Sequence, residues 1–159
     1  MKTRNVLLML LVVGMIATLR WDKTASARAG LREGTTTIVT VAASTPEFTR
    51  KGEGDVIELS NGRLMLVYME FSGTGSDEAK TRFVSQESAD RGKTWSGHRV
   101  IAETEPGDMN VYSPNLIHSR DDGILLIFMR QHETSPATST HHAWKSSDEG
   151  RTFKPWSVF

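Results

Sequence analysis

Two short stretches carry most of the strong apolar signal in this chain. Residues 63–70 read RLMLVYME and residues 124–130 read ILLIFMR. Apolar runs of this length, bounded by turn residues, fit strands buried on both faces. Each follows a turn, Ser60-Asn61-Gly62 before the first and Arg120-Asp121-Asp122-Gly123 before the second. Asn-Gly is a strong hairpin signal because both residues tolerate positive φ. Weaker β-prone pieces flank the two runs in the same order: 55–59, 80–86 and 98–102 around the first, 112–118 and 141–145 around the second. Residues 71–79 and 131–139 read as loops, and no segment has helical periodicity. The pattern predicts an all-β chain built from a repeated unit of four short strands, with Gly62 and Gly123 at matching hairpins 61 residues apart. The chain ends at Phe159 where the fourth strand of the second unit should begin, so that unit is expected to be incomplete.

A second repeat sits inside the first. Ser88-Ala89-Asp90-Arg91-Gly92-Lys93-Thr94-Trp95 returns as Ser146-Ser147-Asp148-Glu149-Gly150-Arg151-Thr152-Phe153, and the two glycines are 58 residues apart. Both copies fit Ser-x-Asp-x-Gly-x-Thr-aromatic. Ser and Asp side chains can bond the backbone N–H groups of a tight turn, and Gly supplies a positive φ. The aromatic residue offers a large apolar anchor beneath the turn. The motif resembles the Asp-box, or bacterial neuraminidase repeat, of sialidases. That resemblance implies a β-propeller in which Ser88, Asp90, Gly92, Trp95, Ser146, Asp148, Gly150 and Phe153 brace blade corners away from the active face.

Composition narrows the field by exclusion. Nineteen basic residues balance nineteen acidic ones, so no global attraction to nucleic acid or an anionic membrane is expected, and no local Lys/Arg run suggests one. Without cysteine there is no disulfide, zinc–thiolate site or thiol nucleophile. His141 and His142 are adjacent on an expected strand and so face opposite sides; His98, His118 and His132 lack ligand spacing with them, and neither metal nor cofactor is expected. At the N-terminus, Lys2 and Arg4 precede an apolar run over residues 6–19, and Ala25-Ser26-Ala27 offers small residues at cleavage-site spacing. This is the layout of a secretory signal peptide over residues 1–27. The run is shorter than a spanning helix needs, so a secreted or periplasmic protein with no stable membrane insertion after cleavage is expected. Residues 28–48 form a polar lead-in with one β-prone piece at 37–41, and residues 49–54 a polar separator.

The resemblance extends beyond the repeated turn. Arg50-Lys51-Gly52-Glu53-Gly54-Asp55-Val56-Ile57-Glu58-Leu59-Ser60-Asn61-Gly62-Arg63-Leu64 looks like the opening blade of secreted bacterial sialidase-like proteins, and Met109-Asn110-Val111-Tyr112-Ser113 resembles the start of their second blade. The family fold is a six-bladed β-propeller, of which residues 49–159 would supply about the first two blades. Two blades cannot close a ring, so the chain reads as the N-terminal part of a longer protein. The resemblance implies an exo-α-sialidase that releases terminal sialic acid with retention, using a Tyr nucleophile assisted by Glu, an Asp acid/base and an arginine triad. Sialylated or other acidic glycans are the implied partners.

Arg50 stands where the family places an arginine that grips the substrate carboxylate, a task suited to the guanidinium fork; a solvated loop arginine is the alternative. Asp77 lies in the glycine-containing loop where the family places its acid/base, with Glu78 as a rival and a polar loop tip as the plain reading. Asn110 and Ser113 could bind sugar hydroxyls or hold the turn between units. Arg130 could line the pocket or cap a strand. Tyr68 and Tyr112 suit core or pocket wall better than nucleophile. One departure stands out: where many relatives carry another arginine, this chain has Glu70 or Phe71. The expected Tyr–Glu pair and remaining arginines belong to later blades, so this chain alone should not turn over substrate. The other reading is a non-catalytic propeller module that binds glycans or proteins.

Overall fold

The computed structural model describes residues 37–133 and 135–159. The expected signal peptide and residues 28–36 of the lead-in lie outside these residues. Eight strands are present among them: β1 (Arg50–Glu58), β2 (Leu64–Phe71), β3 (Thr81–Ser88), β4 (Ser96–Glu103), β5 (Asp108–His118), β6 (Ile124–His132), β7 (Ser135–Ser146) and β8 (Lys154–Val158). They form two four-stranded sheets, β1-β2-β3-β4 and β5-β6-β7-β8, each antiparallel and in chain order. The second unit is therefore not short of its fourth strand. Lys154, Pro155, Ser157 and Val158 pair with β7.

Several boundaries move outward, for one reason. Residues 49–54 were expected to separate elements, yet Arg50 and Lys51 pair with Phe71 and Glu70 in β2. Their polar side chains suit a strand there because Glu70 and Phe71 give them a carboxylate and an aromatic face. Likewise β5 starts at Asp108 and β7 at Ser135, which leaves only residues 133–134 between β6 and β7. The β-prone piece 37–41 joins no strand, and Ile38 is exposed.

The core lies between the sheets. Side chains alternate across a strand, and one face of the first sheet buries Met65, Val67 and Met69 of β2 with Phe83 of β3. The facing side of the second sheet contributes Leu116 of β5 and Ile124, Leu126 and Phe128 of β6. Phe83 and Phe128 meet edge to face with centroids 5.3 Å apart, a favourable aromatic geometry. β2 is buried on both faces over most of its length, as its apolar run requires. β6 is not: Leu125, Ile127 and Met129 are only half-buried.

The two repeated turns close in the same way. Ser88 Oγ accepts the Gly92 N–H at 2.8 Å and donates to Asp90 Oδ1 at 2.8 Å. Asp90 then accepts the Thr94 N–H at 2.8 Å and its hydroxyl at 2.7 Å. Ser146, Asp148, Gly150 and Thr152 repeat this set at 2.6–2.9 Å. Both carboxyls are held at a pKa of about 2. For Asp90 the leading cause is the Thr94 backbone bond; for Asp148 burial opposes the shift and the Thr152 bonds outweigh it. Gly150 has φ 72°, and a Cβ there would run into the Met65 sulfur, so only glycine lets the second turn settle on the first sheet. Trp95 and Phe153 are half-buried rather than enclosed. The Trp95 indole lies across its own turn, donating to the Gly92 carbonyl at 3.0 Å, while Phe153 packs at the margin of the core.

Candidate functional site

Antiparallel order sends the start of β1, the end of β2, the start of β3 and the start of β5 to one rim of the sheets. The repeated turns lie at the other. Three groups far apart in sequence meet at the first rim. Arg50 Nη2 donates to Asp77 Oδ1 at 2.7 Å, and the Tyr112 hydroxyl approaches the same oxygen at 3.3 Å. The Arg50 guanidinium carbon lies over the Phe71 ring, 3.6 Å from its centroid, and Phe71 meets Tyr112 edge to face at 6.1 Å. Phe71 is buried, whereas Arg50 and Asp77 keep 40% and 76% of their side-chain surface in solvent. The aromatic floor supports the guanidinium by a cation–π contact while Arg50 stays partly open to solvent.

The Asp77 loop is held from both sheets. Thr49 Oγ1 donates to the Gly73 carbonyl at 2.8 Å. Gly75, at φ 70°, fits so close to Thr49 and Arg50 that a Cβ would clash. From the second sheet, Asn110 Nδ2 donates to the Asp77 carbonyl at 2.7 Å, and Lys80 bonds the Asp108 carbonyl and the Glu133 carboxylate. Thr81 Oγ1 exchanges bonds with the backbone of Val111 at 2.5 and 2.9 Å. Asn110 is fully buried, and its Oδ1 has no hydrogen-bond partner. With Nδ2 committed to Asp77, that oxygen is a free acceptor beneath the loop.

Charge at the rim is mutually adjusted. The Arg50 hydrogen bond lowers the Asp77 carboxyl below its ordinary range, and the Asp77 bond raises Arg50 in return. Burial pushes the Tyr112 hydroxyl up, helped by the negative charge of Glu53 and Asp77. Tyr112 is thus a neutral donor at neutral pH. Glu53 occupies the β1 irregularity between Gly52 and Gly54 and accepts from Ser113 Oγ at 2.8 Å, where β5 is irregular between Tyr112 and Asn115.

The other candidate residues fall elsewhere. Arg130 is buried, and its guanidinium bonds Asp108 and Glu105 rather than any member of the Arg50 group. Of the two residues at the departed arginine position, Phe71 belongs to the rim site. Glu70 points to the opposite face, where Lys51, Arg82 and His98 surround it at 2.6, 2.7 and 3.1 Å. Burial works to raise the Glu70 carboxyl, and those three bonds outweigh it, holding it at about 2. Glu70 therefore places no negative charge beside Arg50. His141 and His142 do lie on opposite faces, stacked on Phe159 and Phe128 respectively. Sequence reasoning missed the aromatic floor and the role of Tyr112 as a donor to Asp77. The apolar Phe71 gave no signal, and Tyr112 comes from the other sheet.

No family profile matches the chain, and no curated protein matches it by sequence. Among solved structures it is similar to one described as Hadza microbial sialidase Hz136, at 16% identity and a TM-score of 0.52 over 68% of this chain. The match takes in 25% of that structure's chain, so the present chain spans about a quarter of its length. The likeness is one of fold: an all-β arrangement of antiparallel sheets.

Proposed function

We propose that this chain is the opening part of a sialidase-like glycoside hydrolase of the exo-α-sialidase type, its two sheets being the first two blades of a six-bladed propeller. The observation that carries the reading is the meeting of Arg50, Asp77 and Tyr112 at the rim opposite the repeated turns. Asp77 is the acid/base, Arg50 the carboxylate-binding group and Asn110 the residue that positions the Asp77 loop. The Tyr–Glu nucleophile pair belongs to later blades.

Asp77 is ionised at neutral pH as an ordinary carboxyl is, and its bond from Arg50 holds it lower still. A substrate carboxylate that took over the Arg50 fork would remove that bond, and the Asp77 carboxyl would rise toward the range in which it can deliver a proton to a glycosidic oxygen. Binding would thereby arm the acid. Arg130 is assigned to holding the start of β5 through Asp108. A second reading, a glycan-binding propeller without catalysis, draws on Phe71: among the described residues Arg50 is the guanidinium that contacts Asp77, and Phe71 lies beneath it where the family often has another arginine nearby.

The test is saturation-transfer NMR of the full chain with free sialic acid, with galactose as a neutral control. Sialic acid should bind in preference to galactose, and Arg50→Ala should weaken that binding at least tenfold, about the worth of a charge-assisted hydrogen bond. Equal binding of both sugars would sink the sialidase reading. Asp77→Asn should retain or tighten sialic-acid binding, because it frees Arg50; a loss would show that Asp77 touches the ligand in its ionised form.

A further inference from the structure

The first strand of each sheet carries one extra residue, and the two irregularities meet. In β1 the register steps between Gly52 and Gly54, which leaves Glu53 without a partner in β2. In β5 it steps between Tyr112 and Asn115. A bulge bends its strand and re-aims a side chain. Side chains alternate along a strand, so a regular β1 would send residue 53 to the face of Lys51, away from Arg50. Instead Glu53 reaches the second sheet, as Arg50 does through Asp77 and Tyr112, and accepts the Ser113 hydroxyl at 2.8 Å. Ser113 holds φ 52°, a left-handed conformation uncommon for serine, and Asn115 Nδ2 donates to its carbonyl at 2.7 Å. Two bulges and a strained serine thus hold one carboxylate in place.

That charge is not neutralised. Among the described residues no lysine, arginine or histidine pairs with Glu53, whereas Asp77, Glu70 and Asp108 each have a cation. Glu53 is exposed. Asp55, two positions on, also meets the second sheet and gives its oxygens to the Val56 and Leu116 N–H groups, each at 2.8 Å. Inward from the rim, β1 therefore offers the second sheet a cation at 50 and anions at 53 and 55. The Glu53 charge is felt at the site, where it helps to raise the Tyr112 hydroxyl. Strand geometry keeps residues 50 and 53 within about 10 Å of each other. We infer that Glu53 is a specificity residue: it lets the Arg50 site take a sugar acid with one negative group and turns away one with a second negative group at its far end. This rests on the reading of Arg50 as the carboxylate-binding group and adds a substrate class to it. A ligand gripped at Arg50 and lying along β1 meets a second carboxylate, and like charges brought that close repel. In the propeller reading first strands face the central channel, which later sheets surround and leave open.

The test is NMR titration of the full 159-residue chain with sialic acid, with sialic acid phosphorylated on the hydroxyl farthest from its carboxylate, and with sialic acid acetylated there. The acetyl ester is a neutral control for size. At low salt sialic acid and the acetyl ester should bind alike, and the phosphate about tenfold more weakly. Glu53→Gln keeps an oxygen for the Ser113 hydroxyl and should narrow that gap by about threefold or more, with sialic-acid affinity held within about twofold. In the wild-type chain, salt at about 0.5 M should narrow the gap as well, because exposed charges are screened; that measurement needs no variant. Equal binding of the phosphate would overturn the inference and leave the Arg50 reading standing. So would rejection of the acetyl ester as strong as that of the phosphate, or a gap that survives Glu53→Gln or high salt. Failure of sialic acid itself to bind, or binding indifferent to Arg50→Ala, would sink the Arg50 reading and the inference with it.

Discussion

The same slot, six residues into the second strand of each sheet, holds Glu70 in one and Arg130 in the other. Both are buried, at 2% and 5% exposure, and both are fully partnered. Around Glu70 stand Lys51, Arg82 and His98; around Arg130 stand Asp108 and Glu105. The sign has reversed at the centre and at every neighbour. The repeated turns at the opposite rim keep the same bonds to within about 0.1 Å. Turn geometry tolerates few solutions, whereas a buried charge is acceptable in either sign provided its partners change with it. Sameness marks what holds the sheets in shape, and difference marks where chemistry can diverge.

The comparison breaks most visibly at the charged slots. Glu70→Gln leaves Lys51 and Arg82 without a counter-charge and should cost about 3 kcal/mol in urea unfolding, while Arg130→Gln strands the more deeply buried Asp108 and should cost about 4. If either cost under about 1 kcal/mol, the slot would be a surface pair in effect. Next come equivalent methionines: Met69→Ala, at a fully buried position, should cost about 3 kcal/mol, and Met129→Ala, half-open, less than about 1.5. Equal losses would mean that the outer face of β6 is covered in solution. Ser88→Ala and Ser146→Ala should each cost about 1–2 kcal/mol and should match, because each removes an acceptor from a turn glycine N–H.

Acid should show the least contrast between sheets. Glu70, Asp90 and Asp148 have folded pKa values near 2, below their ordinary 4.5 and 3.8. Depressed carboxylates stabilise the fold above the ordinary values and lose that contribution as pH falls toward 2. The thermal midpoint should hold down to about pH 5 and then decline, with Asp90→Asn and Asp148→Asn each flattening part of the decline. A midpoint that fell between pH 7 and 5 would implicate other groups.

Much of this was legible in the chain. The eight-residue repeat foretold both turns because its Ser, Asp, Gly and Thr act locally, within four residues of one another. Arg50 and Asp77 share one rim because the hairpin at Asn61-Gly62 brings the start of β1 beside the end of β2, a relation that follows from chain order. Strand starts were obscured where the partner side chain is distant: Lys51 looks like a loop residue until Glu70 is opposite it. The fourth strand of the second sheet was hidden in its exposed pattern, Lys154 to Val158 showing no buried side. Phe71 under Arg50, and Arg130 turned inward to Asp108, could not be read because an alternating strand does not declare which neighbour it will meet.

Asp77 is joined to Asn110 and Tyr112, which lie 33 and 35 residues later in the chain. On a ribosome adding about 5–20 residues per second, the loop that bears Asp77 exists for some seconds before either of those residues has been made. During that interval the first sheet can close its own turn at Ser88, since every bond there is internal. The rim cannot close. The cell therefore produces the brace before the site, and a pause in translation between residues 103 and 110 would leave the first sheet's strands made and the Asp77 loop held by Thr49 and Arg50 alone.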